Sequence, residues 1–504
     1  MDVLLTISQL VIHWSALIVV LLLLIGILYL AVLYWIDVKQ TKHTIRRNYP
    51  VVGRMRYVLE HLGEFFRQYF FALDRDERPF NRAERSWAYR AAKHEDTTVA
   101  FGSTRSLEIP GDIFFVNSVF PKLSEEAQPP KEVCVGEFTA RKPYRTNSLV
   151  NISGMSFGAL SKPAVQALSR GAKASGIWMN TGEGGLSPYH LEGGCDIVFQ
   201  IGTAKYGVQD DKGHLDLERL KSVTGHDQVK MVEIKLSQGA KPGKGGMLPG
   251  AKVTAEIAAV RAIKEGEDSI SPNRHVDIET TDDLLDMIHT VRDVSGKPTG
   301  IKMVVGDLAF FDELFQRVHE RGLDYAPDFI TLDSADGGTG AAPQSLMDFV
   351  GMTVRESLPA VVNKVTSYGL RKRIKIIATG KLITPGKAAW AFAMGADFVV
   401  SARGFLFSLG CIQALRCNKN TCPTGITTHN KSLQKGLVPQ EKSVRVANYA
   451  NEMAYSISLI AHSCGVSEAR QLARKHVRLI EDQSRSSNYA DLNPLPKEGA
   501  SLEK

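Results

Sequence analysis

The stretch IKIIATGKLITPGKAAWAFAMGADFVVSARG, residues 374–404, reads as one repeat of a parallel α/β fold. Two short apolar runs, IKIIAT at 374–379 and DFVVSA at 397–402, flank a longer segment of helical periodicity, and each run passes into Gly and polar residues. Strands buried on both faces read as continuous apolar sequence, and a helix between them returns the chain in the same direction. Working outward, the same unit recurs upstream in LVNIS at 149–153, IWMNT at 177–181, MVEIKL at 231–236, GIKMVV at 300–305 and DFITL at 328–332. Their number and spacing predict an α/β fold, a closed (β/α)8 TIM barrel rather than an open sheet.

In such barrels the functional groups sit on loops at the carboxyl ends of the strands, and phosphate is often bound after strands seven and eight. Here the last two runs end in Thr379-Gly380-Lys381 and Ala402-Arg403-Gly404, and an earlier loop reads Asp336-Gly337-Gly338-Thr339-Gly340. Glycine lets backbone N–H groups approach an anion, and Arg403 or Lys381 supplies charge. A tight turn explains any one such loop equally well; their joint position at strand ends favours a mononucleotide such as FMN. Lys235 and Lys302 fall inside apolar runs, where an unpaired ammonium is costly. Each is expected to meet an acidic partner, such as Glu233, or to face a polar or anionic ligand. No GxGxxG follows a strand, so no dinucleotide site is expected.

Six cysteines in 504 residues are too few for a disulfide scaffold, and Cys411, Cys417 and Cys422 lie close together with a Pro after the last. Thiolates suit iron–sulfur clusters and zinc, but a structural zinc usually takes four ligands with a C-x2-4-C spacing, which is absent. Three buried structural thiols are the alternative reading. Formal net charge is +7, but Lys and Arg are dispersed among 54 acidic residues, which gives no nucleic-acid surface.

From Val3 to Ile36 there is no Asp, Glu, Lys or Arg, which is long enough for a bilayer span of about 20 residues. Trp14, Tyr34 and Trp35 sit where interfacial aromatics usually sit, and Lys39, Lys42, Arg46 and Arg47 follow directly. The positive-inside bias places the long carboxyl-terminal part in the cytoplasm, as a single-pass cell-membrane protein. The expected organisation is an anchor over 1–38, a membrane-proximal collar over 39–146 containing the amphipathic stretch RMRYVLEHLGEFFRQYFF, the barrel and cysteine segment over 147–435, and carboxyl-terminal helices over 436–504, with a mobile polar tail after Ser484.

Five segments, in this order, carry a resemblance: NTGEGG at 180–185, QGAKPGKGGMLPG at 238–250, ISP at 270–272, DGGTGA at 336–341 and CNKNTCPTG at 417–425. Together they resemble the FMN-binding synthase domain of glutamate synthase, in its short stand-alone form that also begins with an apolar segment. The resemblance implies FMN near Ser156, Lys235, Lys302, Gly337, Gly338, Gly380 and Arg403. It implies a three-iron, four-sulfur (3Fe-4S) iron–sulfur cluster on Cys411, Cys417 and Cys422, and a 2-oxoglutarate site at Gln238, Lys241 and Arg261, with Glu183 near the ammonia path. The implied reaction adds ammonia to 2-oxoglutarate and reduces the imine to glutamate. With no glutaminase segment and no β-helix, ammonia is expected from solution or from a separate glutaminase. Electrons are expected through the cluster from ferredoxin or a pyridine-nucleotide subunit, or from a quinone-linked partner. The alternatives are an FMN enzyme for another 2-oxo or 2-hydroxy acid, and a non-catalytic membrane redox relay.

Overall fold

Eight parallel strands close on themselves in a computed structural model that describes residues 1–502. They are β1 Val150–Ile152, β2 Met179–Asn180, β3 Ile197–Ile201, β4 Val229–Lys235, β5 Thr299–Val304, β6 Phe329–Asp333, β7 Lys375–Ala378 and β8 Phe398–Ser401. Each pairs with its sequence neighbour, and β8 pairs with β1 through Val400 and Asn151. The chain is therefore the expected α/β barrel. Seven strands match the apolar runs. The eighth, β3, follows β2 after only the four-residue helix Pro188–Leu191, so no helical period announces it, and Gln200 interrupts its apolar pattern.

The helices begin where the sequence supplies caps. Thr280 accepts from the Asp283 N–H at 3.2 Å while the Asp283 carboxylate accepts from the Thr280 N–H at 2.8 Å, which opens helix Thr281–Ser295; Gly296, at φ 68°, ends it. At one end the barrel is filled by apolar side chains. Trp178, Val198, Met231, Phe329, Ile377, Phe398 and Val400 are buried together with Val135 and Tyr144, which come from a hairpin of Val133–Val135 and Tyr144–Thr146. Trp178 meets Phe398 edge-on with ring centroids 4.8 Å apart. At this closed end the Arg292 Nε donates to Asp328 Oδ2 at 2.8 Å, and both side chains are buried.

The chain forms two compact units, residues 1–82 and 83–504. In the first, helix α1 (Asp2–Lys39) is exposed over most of its described length, and Leu5–Lys39 is long and apolar enough to cross a membrane. It is followed by α2 (Thr44–Asn48) and α3 (Gly53–Phe66). In the second, the 25-residue helix Pro439–Ser463 packs on the helix Lys162–Ala174, where a Cβ at Gly171 would lie 2.7 Å from the Ser443 carbonyl oxygen. The start of the tail expected to be mobile is instead built into a sheet: Ser486–Asn488 pairs with Val477–Ile480, which pairs in turn with Ile113–Phe115. Polar composition concealed this, because Arg478 Nε donates to Ser486 Oγ at 2.8 Å and the pairing uses backbone groups that any sequence carries.

Candidate active site

The barrel interior changes character from end to end. Above the apolar layer, Glu233 on β4 is held by three other strands: its Oε1 accepts from Asn180 Nδ2 at 2.8 Å and Gln200 Nε2 at 2.6 Å, and its Oε2 accepts from Thr331 Oγ1 at 2.6 Å. Lys302 on β5 lies in this layer, buried, with its Nζ 3.5 Å from Asp333 Oδ2. Burial alone would lower the Lys302 pKa, but Asp333 and Glu233 outweigh it and raise it. The carboxylate of Asp333 does a second job, accepting from the Gly239 N–H at 3.0 Å and from its own neighbour Ser334 at 2.9 Å. That ties the loop after β4 to the loop after β6, and Gln238 Nε2 donating to Thr339 Oγ1 at 3.0 Å adds a second tie.

Above this layer, at the carboxyl ends of the strands, opens a cleft of about 260 Å³. It is walled by Ser156, Glu183, Lys235, Gln238, Lys241, Lys252, Arg261, Gly338, Arg403 and Cys417, among others. Five of the side chains lining it are cationic (Lys235, Lys241, Lys252, Arg261, Arg403) and one, Glu183, is a carboxylate. Lys235 Nζ sits 2.9 Å from Glu183 Oε2 and also donates to Gln238 Oε1. Of the two expectations for Lys235, an acidic partner such as Glu233 or a polar or anionic ligand, the first is met by Glu183, since the amides and hydroxyl around Glu233 already satisfy that carboxylate. Burial would raise the Glu183 pKa, but Lys235, Lys241 and Arg261 together hold it down at about 2. Burial lowers the pKa of Lys241 and of Arg261.

Arg261 ends helix Ala255–Arg261, which Thr254 caps. Its guanidinium lies over the Tyr206 ring at 4.8 Å, its Nη1 donates to Ser269 Oγ at 3.4 Å, and its Nε is buried without a partner. Arg403 donates to the Thr339 carbonyl, and a Cβ at Gly338 would lie 2.8 Å from Arg403 Nε, so only glycine leaves that guanidinium its place. Gly182, at φ 64°, lets the loop after β2 press against the backbone of Ser156: a Cβ there would lie 2.6 Å from the Ser156 nitrogen.

Five expected site residues do not line the cleft: Lys302, Gly337, Gly380, Cys411 and Cys422. Lys302 is beneath it, Gly337 packs toward Ser334 and Asp333, and Gly380, at φ 122°, packs against Ser334. The cysteine segment follows the short helix Arg403–Ser408. Cys417 reaches the cleft wall; Cys411 and Cys422 flank it within electrostatic range, and none of the described cysteines forms a disulfide. Burial pushes the Cys411 thiol up to about 11; burial acts the same way on Cys422, but hydrogen bonds from Thr424 and Thr427 bring it below the ordinary value. Among the described residues no three of His, Cys, Asp and Glu are placed to hold a single metal ion.

Two cleft residues have no signal in the sequence. Lys252, a lysine in a loop of ordinary composition, is buried and donates to the carbonyls of Cys417 at 3.3 Å and Ala159 at 3.5 Å, between cleft and cysteines. Tyr206 supplies the surface under Arg261.

Acid should unfold this half of the barrel in two stages. Burial holds His190 and His275 down at about 4 from an ordinary 6.5, so the unfolded chain binds protons first and stability is lost as pH falls from 6.5 toward 4. Glu183, lowered to about 2 from 4.5, adds a second loss as pH falls from 4.5 toward 2. Denaturant midpoints of the full chain in detergent at steps from pH 7 to 3 check this. A flat profile between 6.5 and 4 would contradict the buried neutral histidines.

The sequence model of a conserved region in glutamate synthase matches residues 120–467. The glutamate synthase large subunit-like protein YerD of Bacillus subtilis is 41% identical over 491 residues, covering 90% of this chain and 93% of that protein. A glutamate synthase large subunit-like protein of Rhizobium meliloti is 30% identical over 392 residues, 74% of this chain and 84% of that one. An archaeal glutamate synthase (NADPH) of Methanocaldococcus jannaschii is 33% identical over 335 residues, 66% of this chain, and the chain spans about three fifths (61%) of that relative's length.

Proposed function

The chain belongs to the glutamate synthase family, and from that premise we propose that it is a membrane-anchored oxidoreductase forming glutamate from 2-oxoglutarate and ammonia with FMN and an iron–sulfur cluster. The observation that carries this reading is the charge of the cleft: five cations and one carboxylate, with the Arg261 Nε buried and unpartnered. Such a wall is costly unless an anion completes it.

The residues present fit both groups. Ser156, Lys235, Gly338 and Arg403 line the part of the cleft where loops after several strands converge, and they would hold the flavin with its phosphate. Lys302, Gly337 and Gly380 would support it from behind. Bound FMN in its reduced form would supply hydride to the imine carbon. Gln238, Lys241 and Arg261 would grip the two carboxylates of 2-oxoglutarate, the guanidinium as a bidentate fork and the lysine as a point charge. The loop carrying Gln238 and Lys241 is pinned by Asp333 and Thr339, and Arg261 is held against Tyr206, so the grip is set before substrate arrives. Glu183, ionised across the physiological range, would accept a hydrogen bond from incoming ammonia while holding Lys235 beside it.

Cys411, Cys417 and Cys422 lie within electrostatic range of one another, with Cys417 on the cleft wall, and three thiols lacking the C-x2-4-C spacing and fourth ligand of a structural zinc suit a three-iron, four-sulfur cluster better. Such a cluster would relay electrons from a ferredoxin-like or pyridine-nucleotide-linked donor protein. Helix α1 would span the cell membrane once, with Lys39, Lys42, Arg46 and Arg47 keeping the barrel in the cytoplasm.

Anaerobic purification of the full chain, followed by a visible spectrum and an iron count, is expected to give a flavin envelope and about three irons per chain, one for each thiol. The loaded protein should then make glutamate from 2-oxoglutarate, ammonium and reduced methyl viologen. Flavin with turnover only on another 2-oxo acid would move the substrate assignment, and flavin and iron with no turnover on any would leave a membrane redox relay.

A further inference from the structure

Helix α3 turns its apolar side away from the segment it packs on. Its packed side is formed by Gly53 and Tyr57: a Cβ at Gly53 would lie 2.7 Å from the Ile45 carbonyl oxygen, and the Tyr57 ring meets His43 edge-on at 5.1 Å and carries the Arg46 guanidinium at 4.8 Å. Met55, Leu59, Leu62 and Phe66 recur at helical spacing on the opposite side and are 60%, 58%, 41% and 47% exposed. A soluble amphipathic helix buries that stripe and shows the other. Here the stripe is presented outward and continues into Phe70, which is 74% exposed, and a contiguous apolar surface of this kind marks an interaction site.

The start of α3 is fastened to the end of α1. Asp37 is fully buried and takes two hydrogen bonds from Arg54, at 2.7 and 2.8 Å, and one from the Val51 N–H at 3.0 Å. Val51 sits at φ 65°, which a β-branched residue seldom adopts, so the tight turn is held by this pairing and not by local preference. The stripe thus begins near the end of α1, where the Trp35 ring lies 5.0 Å from the Lys39 ammonium. Residues 39–73 carry seven Lys or Arg and two Glu. That excess suits an anionic surface, and a second copy of this chain would bring the same positive belt against itself.

We infer that α3 lies in the headgroup layer of the anionic leaflet from which α1 emerges, with Met55, Leu59, Leu62 and Phe66 turned into the acyl boundary, so that the chain is seated on the membrane as well as threaded through it. The inference rests on reading α1 as a span, and its test separates the two. The full chain is reconstituted in vesicles of phosphatidylcholine and phosphatidylglycerol with photoreactive benzoylphenylalanine replacing Leu62, Phe66, Glu60 or Glu64 in turn. Lipid adducts are expected at Leu62 and Phe66 at several-fold the yield at Glu60 and Glu64, because an interfacial helix buries one side only. Equal yields at the four positions, or adducts at Phe66 to a second copy of the chain, would overturn it. Alkaline carbonate extraction of the same vesicles reports on α1 alone: release of the chain removes the span, while the adduct pattern still decides α3.

Discussion

Replacing Lys302 with methionine is expected to destabilise the barrel by about 3–5 kcal/mol, the cost of leaving buried carboxylate charge without its partner. Lys302 and Asp333 are each about nine-tenths buried, and Glu233 shares the same interior layer. Methionine fills the volume but leaves Asp333 with only the N–H donors of Gly239 and Ser334. Because those bonds also pin the loop carrying Gln238 and Lys241, the loss should reach the cleft. The denaturant midpoint of the full chain in detergent should fall sharply for Lys302→Met and recover in part for Lys302→Met combined with Asp333→Asn, which removes one of the two stranded charges. An unchanged midpoint for the single variant would falsify the assignment of this pair as the electrostatic floor of the site.

Arg261→Met should weaken 2-oxoglutarate binding about 100-fold, or ~3 kcal/mol, the upper range for a charge-assisted hydrogen bond lost from a buried site. Arg261 is buried against Tyr206 and has an orphan Nε, so the guanidinium is already desolvated and positioned before an anion arrives. Titrating the flavin spectrum of the loaded protein with 2-oxoglutarate gives the affinity directly. Arg261→Lys should recover only part of it, since an ammonium keeps the charge but not the fork. Bound flavin should be unchanged in both variants. If Arg261→Met binds 2-oxoglutarate as tightly as the parent chain, the dicarboxylate site is elsewhere in the cleft.

Much of the barrel was legible because parallel strands buried on both faces must be continuously apolar, and seven runs such as MVEIKL and DFVVSA show it. Strand β3 was not, since its crossover is a four-residue helix with no period to read. The carboxyl-terminal tail was misjudged for a related reason: a polar strand such as Ser486–Asn488 is fixed by backbone pairing with Val477–Ile480, and composition carries no record of that. Among the expected site residues, Glu183, Lys235, Gln238, Lys241, Arg261 and Arg403 come together at one cleft. Lys302 and Gly380 lie behind it: Lys302 sits two residues short of the end of β5, whereas Lys235 ends β4, and Gly380 packs against Ser334.

By itself, then, the sequence determined the periodicity, the uncharged amino-terminal run, the clustering of three cysteines and the order of the glycine-rich segments. These are local properties, set by neighbours within a few positions. Only the tertiary structure decided which lysine faces which carboxylate: Lys235 goes to Glu183, 52 positions away, and Lys302 to Asp333 on the adjacent strand. It also decided that Lys252 is buried between cleft and cysteines and that α3 shows its apolar side. Burial and charge pairing depend on the distance between chain segments in space, and closing a barrel brings together residues whose separation along the chain says nothing about that distance.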